Sequence, residues 1–330
     1  MAPTEVAVAI RVVVVLGSLV DPRQAGATLA GPQRSAAQIW FALGMCVRVY
    51  VTGRLCLESN GRLLLETQLG SRQGRMALAY LVCERRRAVP REELAEAVWE
   101  DGPPPAWDVD LRALVSRLRA TATRMGLDGS ALIGSGLGCY QFKLPAGGWV
   151  DVEAAADAIH HAETLLRAGR PREACGWALV ARMNARRPFL PGQDVAWVER
   201  RRSQLRDIHV RALDALAEVW ILTGDPLLAA RDAEESIALE PYREIGYQWL
   251  MRAQAAASNR GEAVRAFRRC RETLARDLGV DPSPVTEAVF RELLHGASPA
   301  TTLQQGSANV GDHPHRVGPM EVDDGPDSDM

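Results

Sequence analysis

The apolar positions of this chain follow two different spacings. Between residues 47 and 65 they come in short runs, Val47–Val51, Leu55–Leu57 and Leu63–Leu65, broken by Thr52-Gly53 and Asn60-Gly61. Asn-Gly between short apolar runs predicts strands joined by a tight hairpin, because both central residues of that turn take positive φ. From residue 71 the period lengthens. Ser71 stands where it can cap a helix whose inner face is Met76, Leu78, Ala79, Leu81 and Val82, with Arg85-Arg86-Arg87 at its end. A second helix follows Pro90 on Leu94, Val98 and Trp99, and Gly102-Pro103-Pro104-Pro105 stops it.

The pattern predicts a third helix from about Trp107 to Met125. At about 100° per residue, Leu111, Leu114, Val115, Leu118, Ala122 and Met125 form one apolar stripe. Arg112, Ser116, Arg119 and Thr123 fall on the opposite side, with Arg117 and Arg124 on its shoulder. Ala131–Ile133 and Tyr140–Leu144 then flank Gly134-Ser135-Gly136-Leu137-Gly138 and predict a second hairpin. Strands, three helices and a closing hairpin describe a winged helix-turn-helix.

Farther along, the chain repeats itself. Gly224, Ala229, Ala233 and Ile237 recur 34 residues on as Ser258, Ala263, Phe267 and Arg271, and 34 is the tetratricopeptide period. Gly169 and Ala174 make the same five-residue step 55 residues before Gly224, so an insertion intervenes. Helix pairs of this kind bury their apolar faces by stacking, with alanine where neighbours approach. The predicted fold class is therefore mainly α with a small β component: a winged helix-turn-helix followed by a tetratricopeptide-like α-helical repeat domain.

Particular residues tie both regions to a family. Arg72-Gln73-Gly74-Arg75, Glu96-Ala97-Val98-Trp99, Val115-Ser116-Arg117-Leu118-Arg119 and Gly138-Cys139-Tyr140-Gln141-Phe142 together resemble the OmpR-type DNA-binding domain. Phe189-Leu190-Pro191, Trp197-Val198-Glu199, Pro241-Tyr242-Arg243-Glu244 and Leu278-Gly279-Val280-Asp281-Pro282 are similar to the bacterial transcriptional activation domain. That order of domains resembles the Streptomyces antibiotic regulatory proteins. The resemblance implies an OmpR-type winged helix over 47–147 and an activation domain over 150–296. It further implies a pathway-specific activator of secondary-metabolite genes that binds direct repeats in double-stranded promoter DNA as a homodimer and contacts RNA polymerase holoenzyme. The alternative is a repeat scaffold for protein contacts whose winged helix no longer binds DNA.

Charge refines the picture without deciding it. The 330 residues carry a formal charge of −2, so a nucleic-acid case rests on local patches. Lys and Arg less Asp and Glu give 14 − 11 = +3 over 47–150, 21 − 22 = −1 over 151–296, and 1 − 6 = −5 over 297–330. Of these three segments, only the winged helix leans positive. Residues 297–330 are expected to be a disordered acidic tail. Residues 1–45 are expected to be a flexible or mis-assigned extension. Their apolar run Val6–Val20 contains Arg11 and is too short for a membrane span, although a poor signal peptide is the alternative. Six dispersed cysteines without a CxxC pair point to reduced thiols in a cytoplasm, and no membrane partner is expected.

Arginine suits both tasks of DNA binding, neutralising phosphate and bonding guanine with a planar fork. Arg112 and Arg119 are the candidates for base reading, with Ser116 between them and Thr123 beyond. Arg117 and Arg124 are assigned to phosphate. The fold resembled adds Arg72 and Arg75 in the first turn of helix one, and Lys143 on the hairpin, where Tyr140 is equally a core residue. It also makes Glu100–Trp107 a loop that can touch polymerase or is simply a stiff turn. Two departures limit the transfer: Arg112-Ala113-Leu114 replaces the polar run common in relatives, and Asp108 and Asp110 place negative charge near the groove-facing end. No enzyme, cofactor or metal is expected. Lys143 stands between Phe142 and Leu144 rather than in a Walker motif, and the histidines lack metal spacing.

Overall fold

A computed structural model describes residues 47–295, so both terminal segments singled out above lie outside the described residues. Strands β1 (Arg48–Tyr50), β2 (Cys56–Ser59) and β3 (Arg62–Leu64) run antiparallel, and β7 (Trp149–Val150) adds to β1 in parallel, giving the order β3-β2-β1-β7. Asn60 and Gly61 close the first hairpin at φ 52° and 72°, as its turn chemistry requires.

Helix α1 (Arg72–Cys83) starts where Ser71 Oγ accepts the Gly74 amide at 3.3 Å. It is followed by β4 (Val89–Pro90), α2 (Arg91–Val98), α3 (Trp107–Arg124), a turn of helix α4 (Gly129–Leu132), β5 (Ile133–Gly136) and β6 (Cys139–Phe142). The second sheet has the order β4-β6-β5. Ala131, expected in a strand, belongs to α4. The Asp128 carboxylate caps that turn by accepting the Ser130 and Ala131 amides at 2.9 and 3.0 Å. Gly129 sits so close to α3 that a Cβ would lie 2.2 Å from the Arg119 carbonyl oxygen.

The remaining helices are α5 (Asp151–Arg167), α6 (Pro171–Ala185), α7 (Ala196–Thr223), α8 (Pro226–Leu239), α9 (Glu244–Ala256), α10 (Arg260–Leu278) and α11 (Pro284–His295). The repeat found in the sequence marks the bend of each helix pair. Gly169, Gly224 and Ser258 take φ of 69°, 93° and 63°, and Ala174, Ala229, Ala233, Ile237, Ala263 and Phe267 are buried beyond those bends. Arg271 departs from the repeat: it is exposed, and Cys270 and Leu274 face inward instead. The inserted residues form the loop after α6 and the early turns of the 28-residue α7.

The winged helix shares its core with the start of the helical array, whose later helices pack around two further clusters. Phe189, Leu190, Trp197, Val198 and Leu205 pack in the same cluster as β1, α1, α2 and α3. Trp197 Nε1 donates to the Ala97 carbonyl at 3.0 Å, and its ring meets Tyr80 and Phe189 edge-on at 5.0 and 5.9 Å. Asp151, fully buried at the start of α5, accepts from the amides of Val51 and Thr52 and from Thr52 Oγ1 at 2.6 Å. Burial pushes its carboxyl pKa up, while the Thr52 and Val51 donors pull it down.

Candidate nucleic-acid interface

Helix α3 owes its placement to the apolar stripe. Leu111, Leu114, Val115, Leu118, Ala122 and Met125 are all buried, packed over α1 and α2. The opposite face holds Arg112, Ala113, Ser116, Arg117, Ala120, Thr123 and Arg124, all exposed. Measured from Arg112 at about 100° per residue, the centre of this face lies roughly 70° from it, toward Ala120 and Arg117. The two shoulder arginines are therefore nearer the middle of the front than the sequence pattern placed them.

The individual arginines differ in their bonds. Arg117 makes no hydrogen bond or ion pair among the described residues, so its guanidinium is free for a ligand. Arg112 is exposed and paired with Asp108 one turn back, a carboxylate that Arg91 also approaches at 3.6 Å. Arg124 donates to Thr121 Oγ1 at 2.8 Å, and Thr123 Oγ1 donates to the Arg119 carbonyl at 3.0 Å. Arg119 stands apart from the front. It is half-buried at the edge of the face, and its Nε donates to the Ile133 carbonyl at 2.9 Å, which fastens β5 to α3.

Arg72 and Arg75 also have protein partners. Arg72 bonds Gln193 Oε1 at 2.5 Å and Glu100 Oε2 at 3.0 Å, joining α1, the loop after α2 and the loop before α7. Arg75 donates to the Gly70 carbonyl at 2.9 Å and faces Glu66 at 3.6 Å. Lys143 is exposed just beyond β6, and its backbone amide donates to the Leu132 carbonyl at 2.7 Å. Tyr140 is core, 3% exposed.

Sequence pattern did not flag two residues at the junction of α2 and the hairpin. Arg91 ties three elements together: its amide donates to the Gly138 carbonyl at 3.1 Å, and its guanidinium lies over the Tyr140 ring at 5.6 Å and near Asp108. Leu137, at the hairpin tip, is fully exposed with φ 49°, paired with Gly138 at 74°. That conformation disfavours a branched side chain by about 1 kcal/mol. An isolated Leu at the first turn position was the available signal.

No group of three or more His, Cys, Asp or Glu side chains among the described residues could hold a metal ion. Burial pushes the Cys56, Cys83 and Cys270 thiols up to about 12, so they stay protonated and unreactive near neutrality. No helix among the described residues is long and apolar enough to cross a membrane.

Residues 150–294 match the bacterial transcriptional activator domain. The chain is 30% identical over 231 residues to the transcriptional regulatory protein EmbR of Mycobacterium tuberculosis, covering 68% of this chain and 58% of that protein. It is 26% identical over 249 residues to the transcriptional regulatory protein MoaR1 of the same organism, covering 75% and 79%. The regulatory protein AfsR of Streptomyces coelicolor is 28% identical over 248 residues, 73% of this chain and 24% of AfsR. A solved structure of Mycobacterium tuberculosis EmbR in complex with a low affinity phosphopeptide superposes with a TM-score of 0.72 at 26% identity, covering 79% of this chain and 69% of that one. The chain thus spans little more than half the length of EmbR. EmbR and MoaR1 are transcriptional regulatory proteins, and AfsR is a regulatory protein.

Proposed function

We propose that the chain, which resembles the Streptomyces antibiotic regulatory proteins and matches the bacterial transcriptional activator domain over 150–294, is a sequence-specific activator of transcription. In this reading α3 enters the major groove of promoter DNA. The observation that carries it is the exposed α3 front, which offers Arg112, Arg117 and Arg124 from a rigid, fully packed helix. Arg112 and Ser116 meet base edges, while Arg117 and Arg124 meet phosphates. The Asp108 pair does not prevent this. An exposed i,i+4 ion pair contributes only about 0.3–0.5 kcal/mol, less than a bidentate contact with guanine.

Arg119 has a different place in the proposal from the one its position on the helix first gives it. Bound to the Ile133 carbonyl, it positions the hairpin against α3 and reaches DNA only with its remaining N–H groups. Arg72 and Arg75 hold the back of the winged helix, and phosphate contact from them requires exchange of Glu100 and Glu66. Lys143 contributes charge beside the wing. Antibiotic-type target genes, polymerase contact and dimerisation on direct repeats follow from the resemblance and complete the proposal.

The test is selection of the full chain on random duplexes, followed by affinity measurements on the selected and a scrambled site. Arg112→Ala is expected to lose about 10- to 100-fold on the selected site and little on the scrambled one. Arg117→Ala and Arg124→Ala should weaken both alike. Failure to bind any duplex at low salt overturns the reading and leaves the interaction scaffold in its place.

A further inference from the structure

The helical array encloses a groove with no assigned role. Alternate helices α5, α7, α9 and α11 line its concave side, leaving a cavity of about 880 Å³. Its wall carries four arginines, Arg167, Arg211, Arg243 and Arg252, against four carboxylates, Glu163, Asp214, Glu218 and Glu292. A polyanion is a poor fit for such a balanced lining.

Half of these charges are paired with one another, and Arg167 bonds the Glu163 carbonyl and Thr164 Oγ1. Arg211 bonds Glu163 through two contacts of 2.8 Å, and Arg243 pairs with Asp214 at 3.0 Å. Glu218 on α7 and Arg252 on α9 are not. Neither makes a hydrogen bond or an ion pair among the described residues, and Arg252 rests on the Trp249 ring, 4.9 Å from its centroid. Desolvation raises the Glu218 pKa and lowers that of Arg252, so both carry the cost of partial burial without a bond to offset it. Arg252 lies in the field of Glu292 and then of Glu218, and Glu218 in that of Arg252, all beyond ion-pair distance. Leu222, Ile245 and Val289 supply apolar wall around them.

A ligand that fills this arrangement must bring an anion and a hydrogen-bonding cation on an apolar body. We propose that the groove binds a small zwitterion of the peptide type, its carboxylate held by Arg252 over Trp249 and its ammonium by Glu218. The cavity is within the range that buries a drug-sized or tripeptide-sized molecule. Planar, bidentate recognition suits arginine to the carboxylate, and the Trp249 face keeps the guanidinium oriented.

The probes are tripeptides with leucine, valine or phenylalanine side chains, each prepared with free ends, N-acetylated, and C-amidated. Titration into the full chain is followed by calorimetry and by tryptophan fluorescence. At least one free tripeptide should bind, and either cap should weaken it tenfold or more. Glu218→Gln should abolish the penalty of acetylation while keeping that of amidation, and Arg252→Gln the reverse. Thermal unfolding confirms that both variants fold, since each substitution removes a poorly solvated charge. The proposal is overturned if no free-ended tripeptide binds at millimolar concentration. It is overturned equally if capping makes no difference, or if the two variants respond to both caps as the parent does.

Discussion

The front of α3 and the concave groove of the helical array are both built from arginine on helices, yet they are opposite in design. On α3 the arginines face outward beside alanine, serine and threonine, with acid confined to Asp108 and Asp110 at the first turn. In the groove every arginine is answered in number by a carboxylate. Counting arginines therefore says little about the ligand. What separates a surface for a polyanion from one for a zwitterion is whether acids are interleaved with the bases and how far both are desolvated.

The widest test asks whether the two regions are mechanically one body. Trp197 fills the shared core and bonds the Ala97 carbonyl, so Trp197→Ala should cost about 3–5 kcal/mol and lower one cooperative unfolding transition. Two separate transitions in the parent protein, only one of them shifted, would break the comparison at its base. Next in size is Arg112→Ala with Arg117→Ala, expected to remove about 2–4 kcal/mol of DNA affinity without touching tripeptide binding. Loss of both activities by this pair would show that the surfaces are not independent.

A smaller effect has two signs. The first hairpin turns on Asn60-Gly61 and the second on Leu137-Gly138, with nearly the same φ values. Leu137→Asn should stabilise the fold by about 1 kcal/mol, because asparagine tolerates this conformation and the exposed leucine packs on nothing. If the tip touches DNA, affinity falls while stability rises, and equal affinity would exclude Leu137 from the interface. The smallest effect concerns pH. His209 sits on α7, facing Glu235 and Arg182 of the neighbouring helices, and burial lowers its pKa below 6.5 despite Glu235 at 3.3 Å. Its neutral form is thus favoured in the fold, giving stability that is present above the unfolded value and lost as pH falls through the folded one. Urea unfolding between pH 7 and 5.5 should show a drop that His209→Gln lessens.

Much of the winged helix was legible because its rules are local. Asn60-Gly61, the Ser71 cap and the α3 stripe each act within a few residues, and the helix-pair bends at Gly224 and Ser258 recur at a fixed period. Arg119 was misplaced on the front because helical spacing cannot show that β5 lies over that edge. Asp151 gave no signal at all: its partners Val51 and Thr52 are about 100 residues earlier in the chain. Glu218 and Arg252 were equally silent, since they meet only when α7 and α9 stack. Long-range polar contacts leave no periodicity to read.

The most direct measurement of the central claim is the salt dependence of full-chain binding to the selected duplex, for the parent and Arg117→Ala. Affinity should fall linearly on a log–log plot as salt rises, with a slope shallower by about one unit in the variant. A parent slope near zero, or one that Arg117→Ala leaves unchanged, would contradict a DNA-binding front on α3.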